Sequence, residues 1–310
     1  MANSPHASRV VLVTMTLKGG AGKTETADVA EAAFTMGGHR CVLIDADDGN
    51  RGLGRRLGLD NVIKLSWASG AEDAPDWLAR HAGKGDRLIF DLGAGIGSAD
   101  LPIMAFLGSV WRMLQQGGAR IIFLCIVSTN APTATTFIER VFSLYGRIGE
   151  VIILCNDQDG SGTFLNGIAE RPEPKVRLGN LAAGIQAVRL LRKEPLSAII
   201  AAPTPDYASA TAIMASRVHA FASQAIFATL VDSSALARLR EASGNVPKLL
   251  YTVATAANAT DARITLNARL AAAQRLLLTP ELDDASILAA AKALRRAHAE
   301  WRNTGAGRNP

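Results

Sequence analysis

The chain has 310 residues, 48% of them hydrophobic, with 33 Lys/Arg against 28 Asp/Glu and a formal net charge of +5. That length holds one large α/β domain plus a smaller appendage, with apolar content for a sizeable core. The apolar runs stop well short of the ~20 residues of a membrane-spanning helix, and the polar residues 1–9 lack the apolar stretch of a secretory leader, so the reading is a cytoplasmic protein.

A flexible start, 1–8, precedes an apolar run over 10–15 that predicts a buried strand. Lys18-Gly19-Gly20-Ala21-Gly22-Lys23-Thr24 follows directly, and an alanine-rich helical pattern over 25–36 comes next. Strand, glycine-rich loop, Lys-Thr, helix is the arrangement that cradles phosphates. Glycines let backbone N–H groups turn inward, and the helix N-terminus adds its dipole. Lys23 can reach β- and γ-phosphates, and the Thr24 hydroxyl can ligate Mg²⁺. The general pattern wants glycine at position 17. Leu17 stands there, and a second lysine, Lys18, opens the loop.

The next apolar run, 41–44, ends in Asp45-Ala46-Asp47-Asp48, and the run 88–90 ends in Asp91-Leu92-Gly93-Ala94-Gly95. One Asp after a strand is ordinarily a turn or cap residue. Asp45, Asp47 and Asp91, at successive strand ends behind a phosphate loop, fit carboxylates that hold the waters of Mg²⁺ and orient an attacking water. Further strand-like runs cover 121–127, 151–154 and 198–201. Helical patterns cover 99–116, 132–145, 181–193 and 207–228. This order predicts an α/β fold, a doubly wound, mostly parallel sheet with helices on both faces. Residues 157–180 read as an irregular excursion. Beyond 229 no strand pattern follows, so 9–229 is the expected phosphate-binding domain, 230–302 a C-terminal α-helical appendage and 303–310 a disordered tail.

Cys41, Cys125 and Cys155 each sit inside an apolar run, which suits buried, reduced thiols. The five histidines form no ligand spacing and are expected at the surface. The charge is uneven: residues 1–160 hold 15 Lys/Arg against 17 Asp/Glu, and residues 161–310 hold 18 against 11. A basic C-terminal half points toward a polyanion, and a solvated surface is the plainer reading of the same residues.

The loop 18–24 resembles the deviant Walker A motif, K-G-G-x-G-K-[ST], of the ParA/MinD family of P-loop ATPases. Val42-Leu43-Ile44-Asp45-Ala46-Asp47 resembles the family's second motif and Phe90-Asp91-Leu92-Gly93 its Walker B region. Leu154-Cys155-Asn156 resembles the strand whose asparagine touches adenine. The likeness runs over about 9–225. It implies an ATPase, with ATP and Mg²⁺, that closes as a homodimer around two nucleotides. Lys18 would reach the partner's phosphates, Lys23 its own, and Asp47 would position the water. Thr24, Asp45 and Asp91 would support Mg²⁺, the two Asp through water. ParA-like members bind DNA without sequence preference, for plasmid or chromosome partition or plasmid transfer. Candidates for such a face are Arg189, Arg192, Lys193 and Arg217, with Arg238 and Arg240 beyond. An adaptor or ATPase-activating protein would be a further partner, and the nucleoid a location. Two alternatives remain at this point. One is a MinD-like membrane cycle through a basic helix over 287–301, whose mostly alanine face offers little area for insertion. The other is a metabolic enzyme using the same loop. The chain departs from the family's pattern at three places. Asp48-Gly49 replaces Pro-Gln, Gly93 replaces a frequent proline, and Glu25 stands where a small or hydroxyl residue is usual. A carboxylate there is expected to weaken nucleotide binding or slow turnover.

Overall fold

The computed structural model describes residues 9–243, apart from 58–61, 68–72, 96–101, 130, 159, 162, 165–166, 182–184, 186–188, 190–191, 205–206 and 232. Strands β1 (Val10–Met15), β2 (Cys41–Ala46), β3 (Val62–Lys64), β4 (Arg87–Leu92), β5 (Arg120–Ser128), β6 (Glu150–Asn156) and β7 (Lys175–Leu178) form one sheet in the order β3-β2-β4-β1-β5-β6-β7. Every pairing is parallel. Parallel neighbours need crossovers, and helices supply them. They are α1 (Lys23–Met36), α2 (Gly52–Leu57), α3 (Ala74–His81), α4 (Pro102–Gln116) and α5 (Ala134–Tyr145). After β7 come α6 (Leu196–Ala201), α7 (Ala208–Ala222), α8 (Ala225–Ala228) and α9 (Ser233–Ser243).

The strands are apolar on both faces because both faces are covered. In β1, Val10 and Leu12 point into a core shared with α1, α6, α7 and α9. Val11, Val13 and Met15 point into a second core with α3, α4 and α5. From β1 the chain runs outward to β2 and β3, returns to β4, and then crosses to β5 on the other side. The strand order therefore reverses beside β1, and a parallel sheet binds ligands at the carboxyl ends of such a reversal. The loop 16–22 lies there.

Two expectations need correction. Residues 198–201, expected as a strand, are the end of helix α6. Pro195 precedes it, and Leu196, Ile199 and Ile200 are buried while Ala198 is exposed, a helical spacing rather than an alternation. The excursion 157–180 contains β7, whose exposed-buried alternation spans only four residues. Gln224 closes the outer edge of that strand: Arg177 N–H donates to Gln224 Oε1 at 2.6 Å, and Gln224 Nε2 donates to the Arg177 carbonyl at 2.7 Å.

Helix α9 sends Ala235 and Leu239 into the same core as α1, and Arg238 Nε donates to the Met36 carbonyl at the end of α1 (2.8 Å). The rest of the expected appendage, 244–302, lies outside the described residues, with the stretch 287–301, the tail 303–310 and the start 1–8. Among the described residues no helix is long and apolar enough to cross a membrane.

Candidate functional site: a phosphate loop between β1 and α1

The loop that leaves β1 turns twice through left-handed backbone, at Gly20 (φ 76°) and Gly22 (φ 96°). A Cβ at Gly22 would stand 2.1 Å from Asn156 Nδ2, so glycine is required there for space as well as for backbone. Asn156 Nδ2 donates to the Ala21 carbonyl at 2.8 Å, and Gln158 Nε2 donates to the Gly20 carbonyl at 2.7 Å. Two amides at the end of β6 thus pull the loop carbonyls down. Asn156 is fully buried beneath the loop, where it braces the Ala21 carbonyl. Gln158 was not singled out from the sequence. Its signal would have been its place two residues beyond Asn156 at the same strand end.

Lys18, Gly19 and Gly20 are exposed at the tip of the loop, whereas Lys23 is buried at its base. Thr24 Oγ1 donates to Asp91 Oδ2 at 2.7 Å, and Thr14 Oγ1 donates to Asp91 Oδ1 at 3.1 Å. Strand register makes this possible, since Asp91 of β4 pairs with Thr14 of β1 on one side and Asp45 of β2 on the other. Burial pushes the Asp91 carboxyl up to about 6; the Thr24 bond and the Lys23 charge oppose the rise, and the Asp45 charge adds to it. Gly52, the first residue of α2, closes in on Thr24: a Cβ there would stand 2.7 Å from Thr24 Oγ1.

Asp45 is fully buried, with Oδ1 accepting the Asp47 N–H (3.0 Å) and Oδ2 the Gly54 N–H (2.8 Å). These bonds shape the turn that carries Asp47. Asp47 is nearly buried, and its Oδ1 accepts the Asn50 N–H at 3.0 Å.

Glu25 also differs from expectation. Its carboxylate accepts from Arg217 Nη1 at 2.6 Å, which neutralises the charge expected to disturb phosphates. The same bond corrects the DNA-binding assignment. Arg217 is 3% exposed and also donates to the Gly179 carbonyl, and Arg189 is 4% exposed with its guanidinium on Asp28 at 2.6 and 2.9 Å. Neither side chain is on an outer face. With Arg56 they line one small pocket, where Glu25 and Asp28 pair with Arg217 and Arg189. Arg192 is half-buried and pairs with Glu194 at 2.8 Å; Lys193 and Arg240 are exposed.

The cysteines are free thiols. Burial holds Cys125 and Cys155 above the ordinary thiol range and pushes Cys41 up to about 12, so none has thiolate character. His39, expected as a surface residue, is half-buried and pairs with Asp86 at 2.8 Å.

Fold and loop together define the P-loop nucleotide-binding class. No family model and no curated protein matches the chain. Solved structures do resemble it. A nucleotide-binding protein from Archaeoglobus fulgidus in complex with ADP is 16% identical, with a TM-score of 0.45 over 59% of this chain and 86% of that one. The septum site-determining protein MinD from Pyrococcus horikoshii, complexed with Mg-ADP, is 16% identical, with a TM-score of 0.43 over 77% of this chain and 96% of that one. The MinC:MinD cell division complex from Aquifex aeolicus gives 18% and 0.39 over 60% and 86%. At this distance the likenesses carry no argument about what this chain does.

Proposed function

We propose that this chain is an ATPase switch of the MinD/ParA kind, in which ATP with Mg²⁺ closes two copies face to face and hydrolysis releases them. One observation carries the reading: the loop's two lysines have opposite environments. Lys23 is buried beside Asp91 and Thr24, where it serves phosphates bound to its own chain. Lys18 is exposed at the loop tip, where it serves phosphates bound to a second copy.

The residues fit the group they would hold. Loop carbonyls are tied down by Asn156 and Gln158, and the N–H groups at the start of α1, which has no side-chain cap, would receive a phosphate. Thr24 Oγ1 and Asp91, already joined to each other, would hold Mg²⁺, Thr24 directly and Asp91 through water. The metal supplies charge neutralisation of the phosphates. Asp47 orients the attacking water. Lys18 adds a cation to the transferring phosphoryl group only when the dimer closes, which makes hydrolysis depend on dimerisation.

A role on DNA rests on less than the sequence offered. With Arg189 and Arg217 inside, the exposed candidates are Lys193, Arg238 and Arg240, with Arg192 partly so.

Titration calorimetry and size exclusion with Mg-ATP test the core. Lys23→Ala abolishes ATP binding. Lys18→Ala keeps ATP binding but loses the ATP-dependent dimer and about 1,000-fold in turnover, the lower end of what a supplied cation contributes at a phosphoryl group. Normal turnover by the Lys18 variant overturns the cross-subunit role, and normal ATP binding by the Lys23 variant overturns the phosphate site.

A further inference from the structure

Two of the family-pattern departures, Asp48-Gly49 for Pro-Gln and Gly93 for proline, meet at one side chain, Trp67. Its indole Nε1–H donates to the Ala46 carbonyl at 2.8 Å, and its backbone N–H donates to the Asp48 carboxylate. Ala46 and Asp48 flank Asp47 in the chain, so a single residue grips both neighbours of the carboxylate assigned to the attacking water. Ser66 Oγ donates to the same Asp48 oxygen at 2.9 Å, and the Arg51 guanidinium pairs with the other oxygen. Arg51 closes the ring. Its N–H donates to the Asp47 carbonyl at 2.7 Å and its Nη1 to the Leu65 and Asp45 carbonyls at 2.9 and 3.2 Å. Arg51 takes left-handed backbone (φ 47°), alone among the described non-glycine residues. Such a conformation persists only where its surroundings fix it.

Gly93 makes room for the ring. A Cβ there would lie 2.9 Å from Trp67 Cζ2 and 3.3 Å from Asp47 Oδ1. Gly49 lies alongside, where a Cβ would be in ordinary contact with Trp67 Cη2 (3.9 Å) and Asp47 Oδ1 (3.6 Å). The half-buried indole therefore lies where the Asp47 turn and the strand end after Asp91 converge.

We propose that Trp67, held by Asp48, is a positioning residue that fixes Asp47 for hydrolysis and links its turn to the loop after Asp91. The Asp48–Trp67 clamp does here what a rigid proline does by restricting the backbone. This inference rests on the proposed function, because it gives Asp47 the water-orienting role. A misplaced orienting group lowers the rate of the chemical step while leaving phosphate contacts intact.

The test uses the full chain with Trp67→Ala, Trp67→Phe and Asp48→Asn. Trp67→Ala lowers kcat by about 10-fold or more, and leaves the ATP dissociation constant within about 2-fold, a pattern of lost transition-state positioning. Trp67→Phe keeps a ring against Gly93 without the bond to Ala46 and recovers part of the loss. A second readout needs no nucleotide. In the unliganded protein, amide hydrogen exchange over 46–51 quickens in Trp67→Ala and Asp48→Asn while exchange over 20–26 holds, reporting local opening of one turn. Turnover unchanged in Trp67→Ala, or ATP binding falling in step with turnover, overturns the clamp and spares the proposed function. Should Trp67→Ala fail to fold, Trp67→Phe and Asp48→Asn decide by the same two readouts. A wild-type chain that neither binds nor hydrolyses ATP overturns the proposed function and this inference together.

Discussion

Helix α1 has two charged neighbourhoods, and the molecule uses them in opposite ways. At its N-terminus Lys18 stands exposed, and backbone donors are left without intrahelical partners. Along its flank, Glu25, Asp28 and Glu31 recur at every third residue, and each is bonded: to Arg217, to Arg189 and to Ser197. The first neighbourhood keeps charge available for something outside the chain. The second uses charge to lock α1 onto the segments that follow β7. Cations counted along a sequence do not distinguish these uses; burial and pairing do. If the contrast is right, substitutions on the flank change stability, and substitutions at the tip of the loop change function alone.

The largest effect belongs to the buried pair. Arg189→Ala leaves Asp28 with Arg56 at 3.6 Å and the Leu196 N–H at 3.2 Å but without its close guanidinium. Removing one member of a buried pair costs about 3–5 kcal/mol. Urea unfolding should show that loss as a lower midpoint with an unchanged slope. A loss under about 1 kcal/mol, the scale of an exposed pair, would return Arg189 to the surface and break the comparison.

Glu31 gives the next effect, with a definite sign. Burial pushes its carboxyl from 4.5 to about 7; Asp28 adds to the rise, and bonds from Ser197 and Thr35 oppose it. The folded state therefore keeps a proton that the unfolded state releases. The stabilisation is full below about pH 4.5 and is lost as pH rises through about 7, on the order of 3 kcal/mol across the window. Glu31→Gln has no proton to lose. Its unfolding free energy, compared with wild type from pH 5 to 8, should lack this decline. Parallel pH profiles for the two proteins would show that Glu31 is ionised throughout.

The strand–loop–helix start, the acidic strand ends and the parallel architecture were legible in the sequence, because buried parallel strands read as continuous apolar runs and phosphate loops need glycine at fixed places. What was not legible depended on partners far along the chain. Glu25 reads as a disturbance until Arg217, 192 residues away, is seen to neutralise it. Asp45 and Asp47 look alike in sequence, but two backbone donors claim Asp45. Asn156 stands at the right strand end, but its bond to the Ala21 carbonyl, 135 residues back, shows only in the fold. Strand β7 was missed because an edge strand of four residues alternates too briefly to outweigh the prolines around it.

Lys18 gives the smallest effect on stability and the sharpest test of the comparison. It is exposed at the end of a flexible side chain, and substitutions at such positions change stability by no more than about 0.5 kcal/mol. Lys18→Ala should therefore unfold at the wild-type urea midpoint while losing the ATP-dependent dimer. The two measurements answer different questions. A lowered midpoint would mean that Lys18 is held by its own chain, so the loop tip would belong with the flank as internal structure. An unchanged midpoint with an intact dimer would leave the tip open but without a part in holding the second copy. Only an unchanged midpoint with a lost dimer keeps the contrast, because a cation left unpaired in one subunit then has its partner in the other.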